Sequence, residues 1–497
     1  MGIVQRQSVQ NTIYTYLGVV LGWLNKSLLF YQWLTQGQYG LIELLMTFMV
    51  LGSELSQLGI TRIILRFFPY FYQRKDKEGK FIFFIILYSA IGFAGICLIL
   101  MLIKPFIIAH YAPKSPLFTN EYIYIYPLIL SYTLYRVLST ISQSLLKTVV
   151  PAMAYNIALR LPQTLLIILL HFEYLTFRGF LNWMTVSFFV PVIIILVYLI
   201  WLRKLHITIG FDWMKARIGR IMLNYGWFSS LGEMTNMLVS KVDILMLGWL
   251  VGETVVATYA IAFYISVLIQ MPARSIRSIT IPLIANHMKV KRMDLIQDLY
   301  QKTAITNLVV AALVFVGIWI NIDSFFGLLP KYADGRASVI YLGLGSIFNI
   351  ITGLHRPIIM NSRYYRFDLY SNVLLFILVV ITNYMLIPVY GATGASIATA
   401  FSLFLYNGIG CVFVYYKFGM QPFTTKTILN ILITVGVLIL GLNIPSTGNH
   451  LLDILVRSSI VTAVYLPLIF WLKISPDINN MIVDILRKIF GRFISRS

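Results

Sequence analysis

This sequence predicts an all-α integral membrane fold on three observations: apolar runs of about 20 residues recur along the chain, charged residues are scarce, and cations gather in alternate connections. Of the 497 residues, 59% are hydrophobic and 11% charged, where a soluble domain carries about 25% charged residues. Each apolar run can cross a hydrocarbon layer of roughly 30 Å as a helix. Lipid offers the backbone no hydrogen-bond partner, so runs of this length satisfy their own peptide groups as helices rather than as alternating barrel strands.

Hydropathy places about fourteen helices, at 11–31, 40–60, 81–103, 122–146, 151–171, 180–202, 221–250, 255–275, 303–322, 337–356, 369–387, 392–416, 427–443 and 455–473. One set of connections is cation-rich: Arg62 to Lys80, Arg203 to Arg220, Arg274 to Lys302, and Arg356 to Arg366. The other set holds only Lys104, Lys114, Arg178, Lys331 and Arg336. The positive-inside rule then puts both termini in the cytoplasm and requires an even number of spans, which fourteen satisfies and twelve would too. The first run is a full span without a small-residue cleavage site, so it reads as retained rather than as a signal peptide.

The net charge of +21 follows that topology. Its cations lie in short connections, not on an extended basic face, which argues against a nucleic-acid partner. Cys97 and Cys411 both fall inside apolar spans, supporting neither a disulfide framework nor a metal site. No phosphate-cradling G-x-x-x-x-G-K-S/T loop occurs and no cofactor is expected. Nothing in the pattern marks an enzyme.

The end of the first helix, Trp33-Leu34 with Tyr39-Gly40, is echoed by Trp249-Leu250 with Tyr259-Ala260, and aligning the tryptophans brings Lys26 within one residue of Lys241. A spacing of six helices implies two halves inserted the same way up. The expected organisation is an N-lobe over 1–220, a C-lobe over 221–420, two further helices over 421–475, and a basic amphipathic tail over 476–497 lying on the anionic leaflet.

Ionisable residues inside the spans point to function, because a charge there costs about 2.5–3.5 kcal/mol even on the lenient insertion scale. The fourth helix carries a stripe of Tyr132, Arg136, Ser139 and Gln143, and the fifth one of Asn156, Arg160, Gln163 and Thr164. The first helix adds Asn25 and Lys26, and the second Glu43, Ser53, Glu54 and Gln57. The seventh has Ser229, Glu233, Asn236, Ser240 and Asp243 beside Lys241, and the eighth Ser266, Gln270 and Arg274. Such stripes line a wet central cavity or serve as interhelical glue. Lys26 can instead snorkel to headgroups, and Lys241 can instead neutralise Glu233, Asp243 or Glu54. Arg136 and Arg160 lie too deep to snorkel. A cavity with Arg136, Arg160, Lys26, Lys241 and Arg274 would favour an anionic ligand, and Arg in particular a phosphate or diphosphate. Asp243, Glu233 and Glu54 are the candidates for proton or sodium coupling.

Several patches resemble the multidrug/oligosaccharidyl-lipid/polysaccharide (MOP) exporter superfamily, specifically its Wzx-like polysaccharide-transporter branch. They are Trp33-Leu34 with Gln38-Tyr39-Gly40-Leu41, then Leu58-Gly59-Ile60 with Arg62 to Arg66, then Lys241 to Gly248 with Tyr259 to Ala262 and Ile281-Pro282, and last Pro388 to Thr399, similar to the family's turn between helices eleven and twelve. The resemblance implies a flippase of the bacterial inner membrane. It would move undecaprenyl-diphosphate-linked oligosaccharide between leaflets by alternating access of two six-helix lobes, among membrane lipids and alongside a polysaccharide polymerase and chain-length proteins. Two alternatives lie in the same superfamily: a cation-coupled multidrug exporter, and a lipid II flippase, whose arginine cluster at the end of helix one is not evident here. A membrane glycosyltransferase fits less well, because the longest connection offers only Asp294 and Asp298.

Overall fold

The computed structural model describes residues 3–72, 75–210 and 216–484, and among these all regular structure is helical. Two compact units divide the chain, Met1–Ala257 and Thr258–Ser497. The first unit begins with α1 (Ile3–Trp23), which continues through a π-helical turn at Leu24–Leu29 and a last turn at Phe30–Trp33. It goes on with α2 (Gln36–Gln57), α3 (Lys75–Tyr111), α4 (Ile125–Ser144), α5 (Val149–His171), α6 (Phe177–Trp201), α7 (Ala216–Leu250) and the start of α8 (Glu253–Lys289). The second unit holds the rest of α8, then α9 (Met293–Ile320), α10 (Arg336–Thr352), α11 and α12 (residues 366–390 and 392–418), α13 (Thr425–Leu442) and α14 (His450–Trp471).

The expected helices are all present among the described residues, and the chain is a multi-pass membrane protein. Among the described residues, ten helices are long and apolar enough to span. One of them, Arg366–Phe418, breaks at Gly391 (φ 55°, ψ −128°). The chain reverses there, since Thr382 and Ser402 hydroxyls lie 3.3 Å apart and the Phe367 and Phe413 rings stack at 3.8 Å. Only glycine enters that backbone region without strain. Outside the ten, α4 and α7 carry two of the polar stripes.

Local chemistry sets the boundaries. Thr35 caps α2 in a reciprocal pair with Gln38 (3.2 and 3.0 Å), which satisfies two otherwise orphaned donors. Left-handed Leu58 and Gly59 end the helix. Ile60–Phe71, which reads in the sequence as a basic connection, is an amphipathic helix. Its buried Ile60, Ile63, Ile64 and Phe68 join Phe81, Ile85, Ile195 and Met222 in one core cluster, while Arg66 sits 4.2 Å over the Tyr225 ring. Within the first unit α7 packs on α2 and on this connector.

In the second unit α13 and α14 pack on α9 through Val309, Val316, Val437, Val461 and Tyr465. The tail opens as a helix over 476–484, with Ile478 buried in that cluster and Met481 59% exposed. Thr306 of α9 bonds Ser475 and Asp477 at 2.9 and 3.1 Å. The expected basic flank, Arg487, Lys488, Arg492 and Arg496, lies outside the described residues.

Candidate functional site

The ionisable residues of the first unit assemble around α2, whose Glu43 and Glu54 are 2% and 7% exposed. Eleven residues is close to three turns, so both carboxylates lie on one face. Glu43 receives Lys26 from the π-helical turn of α1, with Nζ to Oε1 at 2.7 Å. Lys26 is therefore ion-paired within the protein, although its side chain keeps 30% exposure. Lys241 of α7 interacts electrostatically with both Glu43 and Lys26. Glu43 is thus an acid that acts on it, a residue that the sequence places on a polar stripe without singling it out.

Glu54 meets Arg136 of α4, NH2 to Oε2, at 3.4 Å. The Arg136 Nε is buried and makes no hydrogen bond among the described residues, and the side chain as a whole is 36% exposed. Beside this contact the stripes act as glue: Ser56 and Thr133 hydroxyls lie 2.8 Å apart, Thr133 donates to Ser53 at 3.1 Å, and Gln57 donates to Ser53 Oγ at 3.0 Å. These bonds fix α4 against α2 and set where Arg136 emerges.

Arg160 belongs to the same neighbourhood. It follows a π-helical turn of α5, Ala154–Ala158, the kind of register slip that re-aims side chains at functional positions. Asn25, in the π-helical turn of α1, donates to the Arg160 carbonyl at 3.2 Å and accepts from Thr164 at 2.7 Å. Gly18 and Gly22 open a notch on α1 for α5. A Cβ at Gly18 would lie 2.4 Å from Asn156 Cβ, and one at Gly22 only 1.2 Å from Arg160 NH1. The Arg160 guanidinium therefore crosses α1 at Gly22, a requirement visible in the sequence only as two glycines four apart.

Tyrosines connect the two arginines. Tyr132 interacts electrostatically with Arg136 and Glu54, and Tyr155 with Arg160. The Tyr132 and Tyr155 rings lie 6.0 Å apart, and Tyr135 stacks on Tyr155 at 4.6 Å. Aromatic walls and planar cations together suit a ligand with both phosphate and ring faces.

Asp243 of α7 is 4% exposed. Glu233 also lies in α7, but its side chain is outside the described residues. Arg274 belongs to the second unit, where it is exposed and interacts with Arg277, whose guanidinium donates to the Asn349 carbonyl at 3.0 Å. Gln270, on the same stripe, donates to Ser346 at 2.9 Å as interhelical glue.

Residues 229–385 match the MatE family model. Among solved structures, the chain shares the fold of the lipid II flippase MurJ in an inward closed conformation, with a TM-score of 0.72 and 14% identity over 92% of this chain and 97% of that one. It also resembles an inward-facing multidrug-resistance MATE transporter of the MOP superfamily, with a TM-score of 0.59 and 16% identity over 82% and 94% of the two chains. A MOP-superfamily transporter from Pyrococcus furiosus gives a TM-score of 0.52 and 14% identity over 84% and 96%. No curated protein matches the sequence.

Proposed function

We propose that this chain, a MOP-superfamily transporter by its fold and its MatE segment, is a flippase for a polyprenyl-diphosphate-linked oligosaccharide in a bacterial inner membrane, with both termini cytoplasmic. One observation carries the reading. Two arginines, Arg136 and Arg160, are held on helices α4 and α5 of the first unit and joined by a tyrosine cluster, and among the described residues Arg136 makes one ion pair, to Glu54, and leaves its buried Nε without a partner. A diphosphate is the ligand class that repays such an arrangement, because a guanidinium binds it bidentately and never loses its charge. Lys26 and Lys241 bring two cations to Glu43. Asp243, Glu54 and Glu233 would carry proton or sodium coupling, and a polymerase with its chain-length partner would take the product.

The test is export in cells that depend on this protein for surface glycan. Arg136→Ala with Arg160→Ala should abolish surface polymer at unchanged protein level; undiminished polymer would refute the assignment. Buried Asp243, inside the MatE-matching segment, favours a second reading as a cation-coupled drug exporter. That reading requires Asp243→Asn to stop efflux of a fluorescent organic cation from vesicles while glycan export continues.

A further inference from the structure

The hairpin of α11 and α12 carries an apolar slot of about 450 Å³, lined by Phe367, Phe404, Gly408, Ile409, Val412 and Tyr416 among others. Its floor follows from spacing. Phe404, Gly408, Val412 and Tyr416 recur every fourth residue on one stripe of α12, and Gly408 leaves a gap in that stripe. A Cβ built there meets no atom within 4 Å. From Phe404 to Tyr416 the slot runs about 18 Å along the helix.

One end of the slot is strongly cationic. Phe413 in its wall packs edge-on against Tyr364 at 5.6 Å, and that tyrosine carries Arg363 at 4.8 Å and Lys417 at 5.6 Å over its ring. Arg366 lies 5.9 Å from the Tyr365 ring. Between residues 355 and 418 the sequence has a single carboxylate, Asp368, and Arg356 already engages both its oxygens at 2.9 and 3.3 Å. Arg363, Arg366 and Lys417 are therefore exposed cations with no unengaged acid in their own segment, and the acids of the packed start of α9, Asp294 and Asp298, are paired to Arg292 and Lys302.

We infer that this slot is a binding site for an anionic phospholipid, one acyl chain lying along Gly408 and the headgroup phosphate held by Arg363, Arg366 and Lys417. A purely apolar groove would take any acyl chain. Charge complementarity at its end selects the headgroup, since basic residues beside a membrane attract anionic lipids. The site lies wholly in the second unit and does not depend on the transport reading.

Native mass spectrometry of the full-length protein, released from detergent with added phosphatidylglycerol or phosphatidylcholine, tests it. One phosphatidylglycerol should be retained at least about tenfold more than phosphatidylcholine. Gly408→Leu, whose Cβ meets no atom within 4 Å and whose side chain would occupy the slot, should remove it, and so should R363A/R366A/K417A. Protein that keeps its thermal transition but retains both lipids equally, or keeps phosphatidylglycerol in both variants, overturns the proposal. Should Gly408→Leu fail to fold, the triple variant decides alone.

Discussion

The Arg136 guanidinium touches the Glu54 carboxylate at a single point, 3.4 Å from NH2 to Oε2, whereas Arg356 grips Asp368 through two nitrogens at 2.9 and 3.3 Å. The second geometry spends the fork on structure; the first engages one nitrogen of it and, among the described residues, leaves the Nε without a partner. Glu54→Gln should therefore barely change thermal stability yet alter transport, because the carboxylate sets the net charge beside Arg136 and the aim of its guanidinium more than it holds helices together. A melting-temperature loss comparable to that of Arg356→Ala would show the contact to be structural instead.

Glu43 behaves differently, since it stands between Lys26 and Lys241. Glu43→Ala leaves two like charges facing each other and should cost about 2 kcal/mol, less than the roughly 3–5 kcal/mol of a fully buried broken pair, because Lys26 is 30% exposed. Removing Lys26 as well, by Lys26→Met, should recover part of the loss. A double variant no more stable than Glu43→Ala, measured by thermal unfolding in detergent, would speak against the shared carboxylate.

Gly22 should matter through Arg160 alone. Gly22→Val places a side chain where NH1 now lies, so glycan export should fall as far as it does in Arg160→Ala, and the double variant should be no worse than either single one. Additive losses would show that Gly22 acts on something other than the arginine.

His355, in the connection between α10 and α11, is fully buried, and burial holds its imidazole down to about 4, with Arg277 and Arg356 adding to the depression. The unfolded chain takes up that proton near pH 6.5 while the folded chain does not, so stability present above about pH 6.5 drains away as pH falls toward 4, by about 3 kcal/mol in total. Unfolding midpoints at pH 7 and pH 5 check this. The difference should shrink in His355→Gln, and an unchanged difference there would rule the residue out.

Gly391→Ala tests the α11–α12 reversal. Forcing a Cβ to φ 55°, ψ −128° should cost about 1–3 kcal/mol. An alanine variant that melts with wild type would mean that the turn tolerates side chains.

Much of this architecture is legible in the sequence, for one physical reason: lipid selects long apolar helices, and hydropathy reads them directly. The α11–α12 turn shows itself in Pro388 to Thr399, and Arg136 and Arg160 declare themselves as charges where charge is expensive. Pairing is harder to read. Lys26 and Glu43 are 17 residues apart and Arg136 and Glu54 are 82 apart, and periodicity gives the face of a helix without naming its neighbour. The π-helical turns are hidden as well, since one extra residue in a turn leaves no mark on composition. Ile60–Phe71 escapes because Arg62 and Arg66 dominate a segment whose apolar residues nevertheless repeat every three to four positions.

The most direct test is binding of a polyprenyl diphosphate to purified protein by titration calorimetry. Losing the charge-assisted bonds of Arg136 and Arg160, at about 1.5–3 kcal/mol each, should weaken affinity by at least about a hundredfold in R136A/R160A, while Arg356→Ala binds as wild type does. Equal affinity in R136A/R160A and wild type would contradict the account.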